Sequence, residues 1–324
     1  MRRREFVGLV GGSMVVWPVQ MARSQSAGKP RKIGYLHPLT IDTHLSFLSS
    51  LLRRGHELGY VEGETILLRT AGGDLSRLPE LVRELVSLDV GVLIVVGLPA
   101  TMAARSAAPD TPVVAVDLET DPVKAGFVDS WAKPGRNLTG LYLDQASLTG
   151  KLVAIMREVM PDLRKLALVW DPNTRADQLE AARKAAAAAG FETRTLELTS
   201  PEEFSGAFAR LEGGTGVLLL VSPALTGNAP LFATSALRYK LPNISIWKPI
   251  AKVGGLITYG PVLFDAYFPR AMSMADRILK GATAGDIPIE RPDRYELVLN
   301  MKTARQLGIE MPPTLEATAD ETIE

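Results

Sequence analysis

Val92-Leu93-Ile94-Val95-Val96-Gly97-Leu98-Pro99-Ala100-Thr101 holds the key to the fold. An unbroken run of β-branched residues and leucine ends at a glycine and a proline, then passes into a helical pattern. Continuous rather than alternating apolar residues suit a strand covered on both faces, as inside a parallel sheet. Val217-Leu218-Leu219-Leu220-Val221, followed by Ser222-Pro223-Ala224, repeats the arrangement in the second half of the chain.

Outward from these two stretches, one unit recurs: a short β-rich run, a turn and an amphipathic helix. Strands are expected at 32–36, 65–70, 90–96, 112–116, 138–143, 166–170, 193–198, 216–221, 243–247 and 256–259. Between them, Leu78, Leu81, Leu85 and Leu88 recur at three and four residues, as do Leu148, Leu152, Ile155, Met156 and Val159. That spacing lines one face of a helix. An alanine-rich helix over 175–189 stops at Gly190, a favoured residue just past a helix end. Such alternation implies right-handed crossovers and open sheets. Ten strands are many for one sheet, so the expected class is α/β with two doubly wound parallel-sheet lobes joined by a hinge. Residues 31–143 plus 249–285 are expected to make one lobe and 144–248 the other, with 286–324 returning toward the second. Ligand sites in such folds lie at the carboxyl ends of the strands.

Composition narrows the chemistry. The chain has 324 residues, 46% of them hydrophobic, no cysteine, and 36 Lys+Arg against 36 Asp+Glu. Balanced charge argues against a nucleic-acid partner. The lack of cysteine excludes disulfides, thiolate zinc sites and thiol nucleophiles. His37, His44 and His56 are scattered over the first strand and helix and read as packed or exposed residues, so no metal or cofactor is expected.

The first residues read as an address. Met1-Arg2-Arg3-Arg4-Glu5-Phe6 precedes an apolar run to Val19 and then Ala22-Arg23-Ser24-Gln25. This is the layout of a secretory signal, of twin-arginine type, with cleavage expected after Ser24. The run, interrupted by Pro18, is shorter than the roughly 20 residues needed to cross a bilayer. Removing residues 1–24 takes away four arginines and one glutamate, leaving 32 basic and 35 acidic residues. The expected location is the periplasm, without stable membrane insertion.

No G-x-S-x-G elbow, H-E-x-x-H, Walker A loop or G-x-G-x-x-G fingerprint is present. What stands out is a set of polar turns after strands. They contain Pro38, Leu39 and Thr40; Gly97, Leu98, Pro99, Ala100 and Thr101; Thr120 and Asp121; Asp171 and Asn173; and Ser222 and Pro223. Each puts a helix N-terminus, with free backbone N–H groups, where an anion such as a carboxylate would sit. One such terminus contributes about 0.3–1 kcal/mol when exposed and up to about 2 when partly buried. Micromolar affinity needs about 8 kcal/mol, so apolar or aromatic burial must supply much of the rest. Tyr35, Trp247 and Tyr259, at strand ends, are the aromatic candidates. Asp117, Asp121, Asp144 and Asp171 also fall at or just beyond strand ends, where a carboxylate serves as an acid, a helix cap or a partner for an ammonium group. Asp171 is the candidate for the ammonium of an amino acid.

Several motifs carry a resemblance. Leu58-Gly59-Tyr60-Val61-Glu62-Gly63 follows the first helix. Asp121-Pro122-Val123-Lys124-Ala125-Gly126 precedes Lys133-Pro134-Gly135-Arg136-Asn137-Leu138-Thr139-Gly140. Gly254-Gly255-Leu256-Ile257-Thr258-Tyr259-Gly260-Pro261 follows, and Tyr295-Glu296-Leu297-Val298-Leu299-Asn300-Met301-Lys302-Thr303-Ala304 lies near the end. Together they resemble the substrate-binding proteins of ABC transporters, in the family of the tryptophan- and tyrosine-type periplasmic binding proteins. The resemblance implies a type I periplasmic-binding-protein clamshell and capture of a small carboxylate-bearing ligand, such as an aromatic or other amino acid or an aromatic acid. It implies delivery to permease subunits and no catalysis. Two other readings of the same cleft are a ligand-sensing partner of a membrane receptor, and a hydrolase or isomerase using Asp117 or Asp171.

Overall fold

The computed structural model describes residues 32–41, 45–117, 121–143, 145–263 and 267–324. Strands β1 (Lys32–His37), β2 (Ile66–Thr70), β3 (Val90–Val96), β4 (Val113–Asp117) and β5 (Leu138–Tyr142) form a parallel sheet in the order β2-β1-β3-β4-β5. Helices α1 (Leu45–Glu57), α2 (Leu78–Ser87) and α3 (Gly97–Ala107) make crossovers on its faces. Every residue of β4 and β5 is buried, as expected of strands covered on both faces of a parallel sheet. The leucine spacing of α2 sends Leu78, Leu81 and Leu85 into the core. Gly140, at φ 151°, lets β5 lie against β4, since a Cβ there would stand 2.0 Å from the Ala115 carbonyl oxygen.

The second lobe begins with α4 (Gln145–Val159), followed by β6 (Lys165–Trp170), α5 (Ala176–Ala188), β7 (Glu192–Glu197), α6 (Phe204–Phe208) and β8 (Thr215–Leu219). Next come α7 (Pro223–Thr226), α8 (Ala229–Arg238), β9 (Asn243–Ser245), α9 (Lys248–Lys252) and β10 (Ile257–Pro261). Helix α10 (Phe268–Leu279) precedes β11 (Tyr295–Asn300), α11 (Met301–Leu307), α12 (Pro313–Thr318) and β12 (Glu321–Ile323). The second sheet has the order β12-β11-β10-β9-β8-β6-β7. Phe204, Phe208 and Phe232 pack ring against ring at 5.3–5.8 Å on one of its faces.

One expected boundary falls elsewhere in the structure. The stretch 249–285 is split between the lobes. Helix α9 packs on α8, β10 and β11, and β10 pairs with β9 through Ile257–Ile244 and Thr258–Ser245, so these elements belong to the second sheet. The glycine turn at 254–255 only redirects the chain within that lobe, and α10 is the element that packs on α1, β3, β4 and β5. The second sheet is also mixed, because β11 runs antiparallel to β10, with Ile257 opposite Leu299 and Pro261 opposite Tyr295. In the last segment, residues 286–290 follow β5, where the Thr139 hydroxyl donates to the Ile287 carbonyl at 2.7 Å. From Tyr295 onward, the strands pair in the second sheet. Among the described residues no helix is long and apolar enough to cross a membrane.

Candidate functional site

A cavity of about 370 Å³ opens at the carboxyl ends of parallel strands from both sheets. From the first sheet come Pro38, Leu39 and Thr40 after β1, Gly72, Gly73 and Leu75 after β2, and Pro99 at the start of α3. The second sheet supplies Asp171, Asn173 and Thr174 after β6, and Thr199, Ser200, Pro201 and Glu202 after β7. Ala224 and Asn228, from the segment after β8, complete the described lining.

The first wall is built by its backbone. The Leu39 N–H donates to Nδ1 of the buried His37 at 3.1 Å, which turns the chain just beyond β1. The Gly73 N–H donates to the Pro38 carbonyl at 2.9 Å, tying the turn after β2 to the turn after β1. Gly97 opens α3 at φ 75°, a left-handed conformation that a side chain would strain, and the Thr101 hydroxyl donates back to its carbonyl at 2.9 Å.

The second wall is built by side chains. Asp171 is 3% exposed. Its Oδ1 accepts the Asn173 N–H at 2.8 Å, and its Oδ2 accepts the Ser222 hydroxyl at 2.6 Å. Ser222 caps α7 by accepting the N–H groups of Ala224 and Leu225 at 3.1 and 3.2 Å. Gln178 bridges the same turns through Thr174 and the Val221 carbonyl. Asp171 therefore caps its own turn, while the cap of α5 is Arg175, which makes no side-chain capping bond. On the next turn, Ser200 and Glu203 form a capping box. The Ser200 hydroxyl donates to Glu202 and holds that exposed carboxyl below the usual carboxylate range.

Of the residues singled out from sequence, Pro38, Leu39, Thr40, Pro99, Asp171 and Asn173 meet on this cavity. The others lie elsewhere. Gly97 opens α3, Leu98 packs against the core of the first lobe, and Ala100 and Thr101 are fully buried in the body of α3. Asp121 caps its own turn, accepting the N–H groups of Val123 and Lys124 at 3.0 and 3.2 Å. Ser222 stands behind Asp171, and Pro223 is the first residue of α7. Trp247 packs near Phe268 at 6.5 Å between ring centroids, and Tyr259 stacks on Tyr295 at 6.0 Å. Tyr35 is a fully buried core residue, and Asp117 is buried at the end of β4. Thr120, Asp144 and His44 lie outside the described residues. Among the described residues, no three His, Cys, Asp or Glu side chains gather as metal ligands.

The turns after β2 and β7 line the cavity as well, beyond the residues singled out from sequence. Both carried the signal used elsewhere: Gly72-Gly73-Asp74 and Ser200-Pro201-Glu202-Glu203 directly follow expected strands.

Two α/β lobes with a cavity at the carboxyl ends of their strands define a binding protein of the type I periplasmic class. The family model described as ABC transporter substrate binding protein matches residues 33–323, and the chain belongs to that family. A curated relative, the tyrosine-binding protein of Clostridioides difficile, is 24% identical over 279 residues, covering 85% of this chain and 79% of the relative. Two solved structures share the fold. A conserved domain protein from Vibrio cholerae aligns with TM-score 0.82 at 22% identity, over 91% of this chain and all of the other. An ABC domain in complex with L-Trp from Streptococcus pneumoniae aligns with TM-score 0.79 at 22% identity, over 90% of this chain and all of the other. The protein is the substrate-binding component of an ABC transporter.

Proposed function

We propose that the chain is exported to the periplasm and cleaved after Ser24. There it captures a small carboxylate-bearing molecule, an aromatic or other amino acid or an aromatic acid, between its two lobes and passes it unchanged to a membrane permease. The observation that carries this reading is the cavity itself, walled by backbone and apolar groups on one side and by polar side chains on the other. The relatives named for tyrosine binding and solved with L-Trp support the amino-acid class.

The lining fits a zwitterion. Pro99 at the start of α3 and Asn228, whose side chain caps α8 by accepting the Leu231 N–H at 3.3 Å, put helix N-termini at the cavity. Such termini favour a carboxylate by about 0.3–2 kcal/mol each. Asp171 and Glu202 offer acceptors to an ammonium group, and the described lining holds no lysine or arginine. Leu39, Leu75 and the prolines offer apolar cover. Ligand then shifts an open–closed equilibrium toward the closed form, which docks on the permease. No step calls for an acid, base or nucleophile.

Thermal unfolding of residues 25–324, stripped of co-purified ligand, tests this against amino acids, aromatic acids, nucleosides and sugars. A ligand at 100 times its Kd stabilises the folded state by about 2.7 kcal/mol. A selective upward shift, with the compound recovered intact by mass spectrometry, is the expected result. Consumption of the compound would overturn the reading in favour of an enzyme. A shift confined to uncharged compounds would overturn the ligand class.

A further inference from the structure

Away from the cavity, among the described residues, the chain passes between its lobes three times: after β5, after β10, and between residue 290 and β11. Tyr267 stands where these passes meet. It directly precedes α10, at the end of the second pass, and is only 3% exposed. Its hydroxyl lies 2.8 Å from the carbonyl oxygen of Tyr142, the last residue of β5, and 3.0 Å from that of Glu290. One proton is shared between the backbones of the other two passes. Around this point the Tyr142 N–H also donates to the Glu290 carbonyl at 3.0 Å, and the Val262 N–H to the Arg294 carbonyl at 3.0 Å. Arg270 pairs with the Glu290 side chain, and the Arg291 guanidinium covers the Trp131 ring at 3.7 Å.

A hinge absorbs its motion in a few backbone torsions of the connecting segments. Three segments left to themselves would flex separately. A buried hydroxyl bonded to two of them from the end of the third obliges them to move together, because parting them breaks hydrogen bonds for which the buried Tyr267 hydroxyl has no water in exchange.

We propose that Tyr267 is a positioning residue that couples the three interlobe passes, so that the lobes swing as one two-state hinge. The proposal rests on the reading that the lobes close on a ligand, but its test needs none. Because the chain has no cysteine, nitroxide labels can be placed at will. Ser49→Cys on α1 and Lys184→Cys on α5 put one exposed label on each lobe. In the stripped, ligand-free protein, Tyr267→Phe is expected to broaden the interlabel distance distribution about two-fold. Tyr60→Phe is the control for a purely structural hydroxyl: it donates to Asp276 at 3.0 Å, linking the end of α1 to α10 within the first lobe, and should leave the width unchanged.

A Tyr267→Phe distribution as narrow as that of the unaltered protein would overturn the proposal, whatever its melting temperature. If that variant fails to fold, hydrogen exchange on the unaltered protein decides. Amides of Tyr142 and Val262 protected as well as those of β4 support the pin, and exchange at loop rates overturns it. A failed ligand screen leaves this result standing, and a failure here leaves ligand binding standing.

Discussion

The two walls of the cavity solve the same problem with different materials. On the first-sheet side the described lining is Pro38, Leu39, Thr40, Gly72, Gly73, Leu75 and Pro99, with one polar side chain among the seven. On the second-sheet side seven of nine carry a polar side chain: Asp171, Asn173, Thr174, Thr199, Ser200, Glu202 and Asn228. The first wall presents backbone and apolar cover. The second holds a buried carboxylate in place with a serine from a neighbouring strand's turn. On the proposed reading, the second lobe recognises the ammonium group, while the first lobe contributes apolar cover and the N-terminus of α3.

The largest effect expected from this division is at Asp171. Asp171→Asn keeps an acceptor for the Asn173 N–H but loses the negative charge. A charge-assisted hydrogen bond is worth about 1.5–3 kcal/mol, so calorimetry should show an amino-acid ligand binding at least about ten-fold more weakly. The same ligand without its ammonium group should bind unchanged. Ser222→Ala comes next, and its effect is on stability. It deletes the donor to Asp171 and the cap of α7 together, a cost of about 1–2 kcal/mol in urea unfolding.

On the first wall, Leu39→Ala or Leu75→Ala removes apolar cover worth about 1 kcal/mol, or about five-fold in Kd. The loss should be equal for an amino acid and its deaminated analogue, and an unequal loss would break the comparison. The smallest effect belongs to Glu202, which is exposed. Glu202→Gln should weaken an ammonium ligand about two-fold, and less at high salt. Because hydrogen bonding from Ser200 lowers the pKa of Glu202, this carboxylate stays charged above its depressed pKa. Its contribution should hold from pH 7 to 5 and fade only as the pH falls through that pKa.

The same contrast explains what was legible in the sequence. Strand runs such as Val92–Val96 announce themselves because burial on both faces demands apolar residues throughout. The motifs that carry the family resemblance are largely structural. Tyr60 ties its turn to Asp276 on α10, Asn137 donates to the Pro109 and Thr111 carbonyls, and Asn300 holds α9 through the Ala251 carbonyl. Such roles fix residue identity, so the family is readable from them.

The cavity is less legible because its members come from six strand ends far apart in sequence. A turn after a strand says only that a residue is near the carboxyl edge, not that it faces the ligand. Thr101 and Asp121 both satisfied that rule, yet one bonds within its helix and the other caps its own turn. Trp247 and Tyr259, also at strand ends, pack near Phe268 and Tyr295 and fall outside the described lining. The lobe boundary after β10 was hidden for a related reason: Gly254-Gly255 reads as a break in the fold but is a turn inside one lobe.

The most direct measurement is a matched-pair calorimetric titration of stripped residues 25–324. Each amino acid is compared with its deaminated acid, for instance L-phenylalanine with 3-phenylpropionate. At least one member of a pair is expected to bind, and any amino acid that binds should do so at least about ten-fold more tightly than its deaminated partner. Equal affinity within a pair whose amino acid binds, or no binding by any pair, would contradict this.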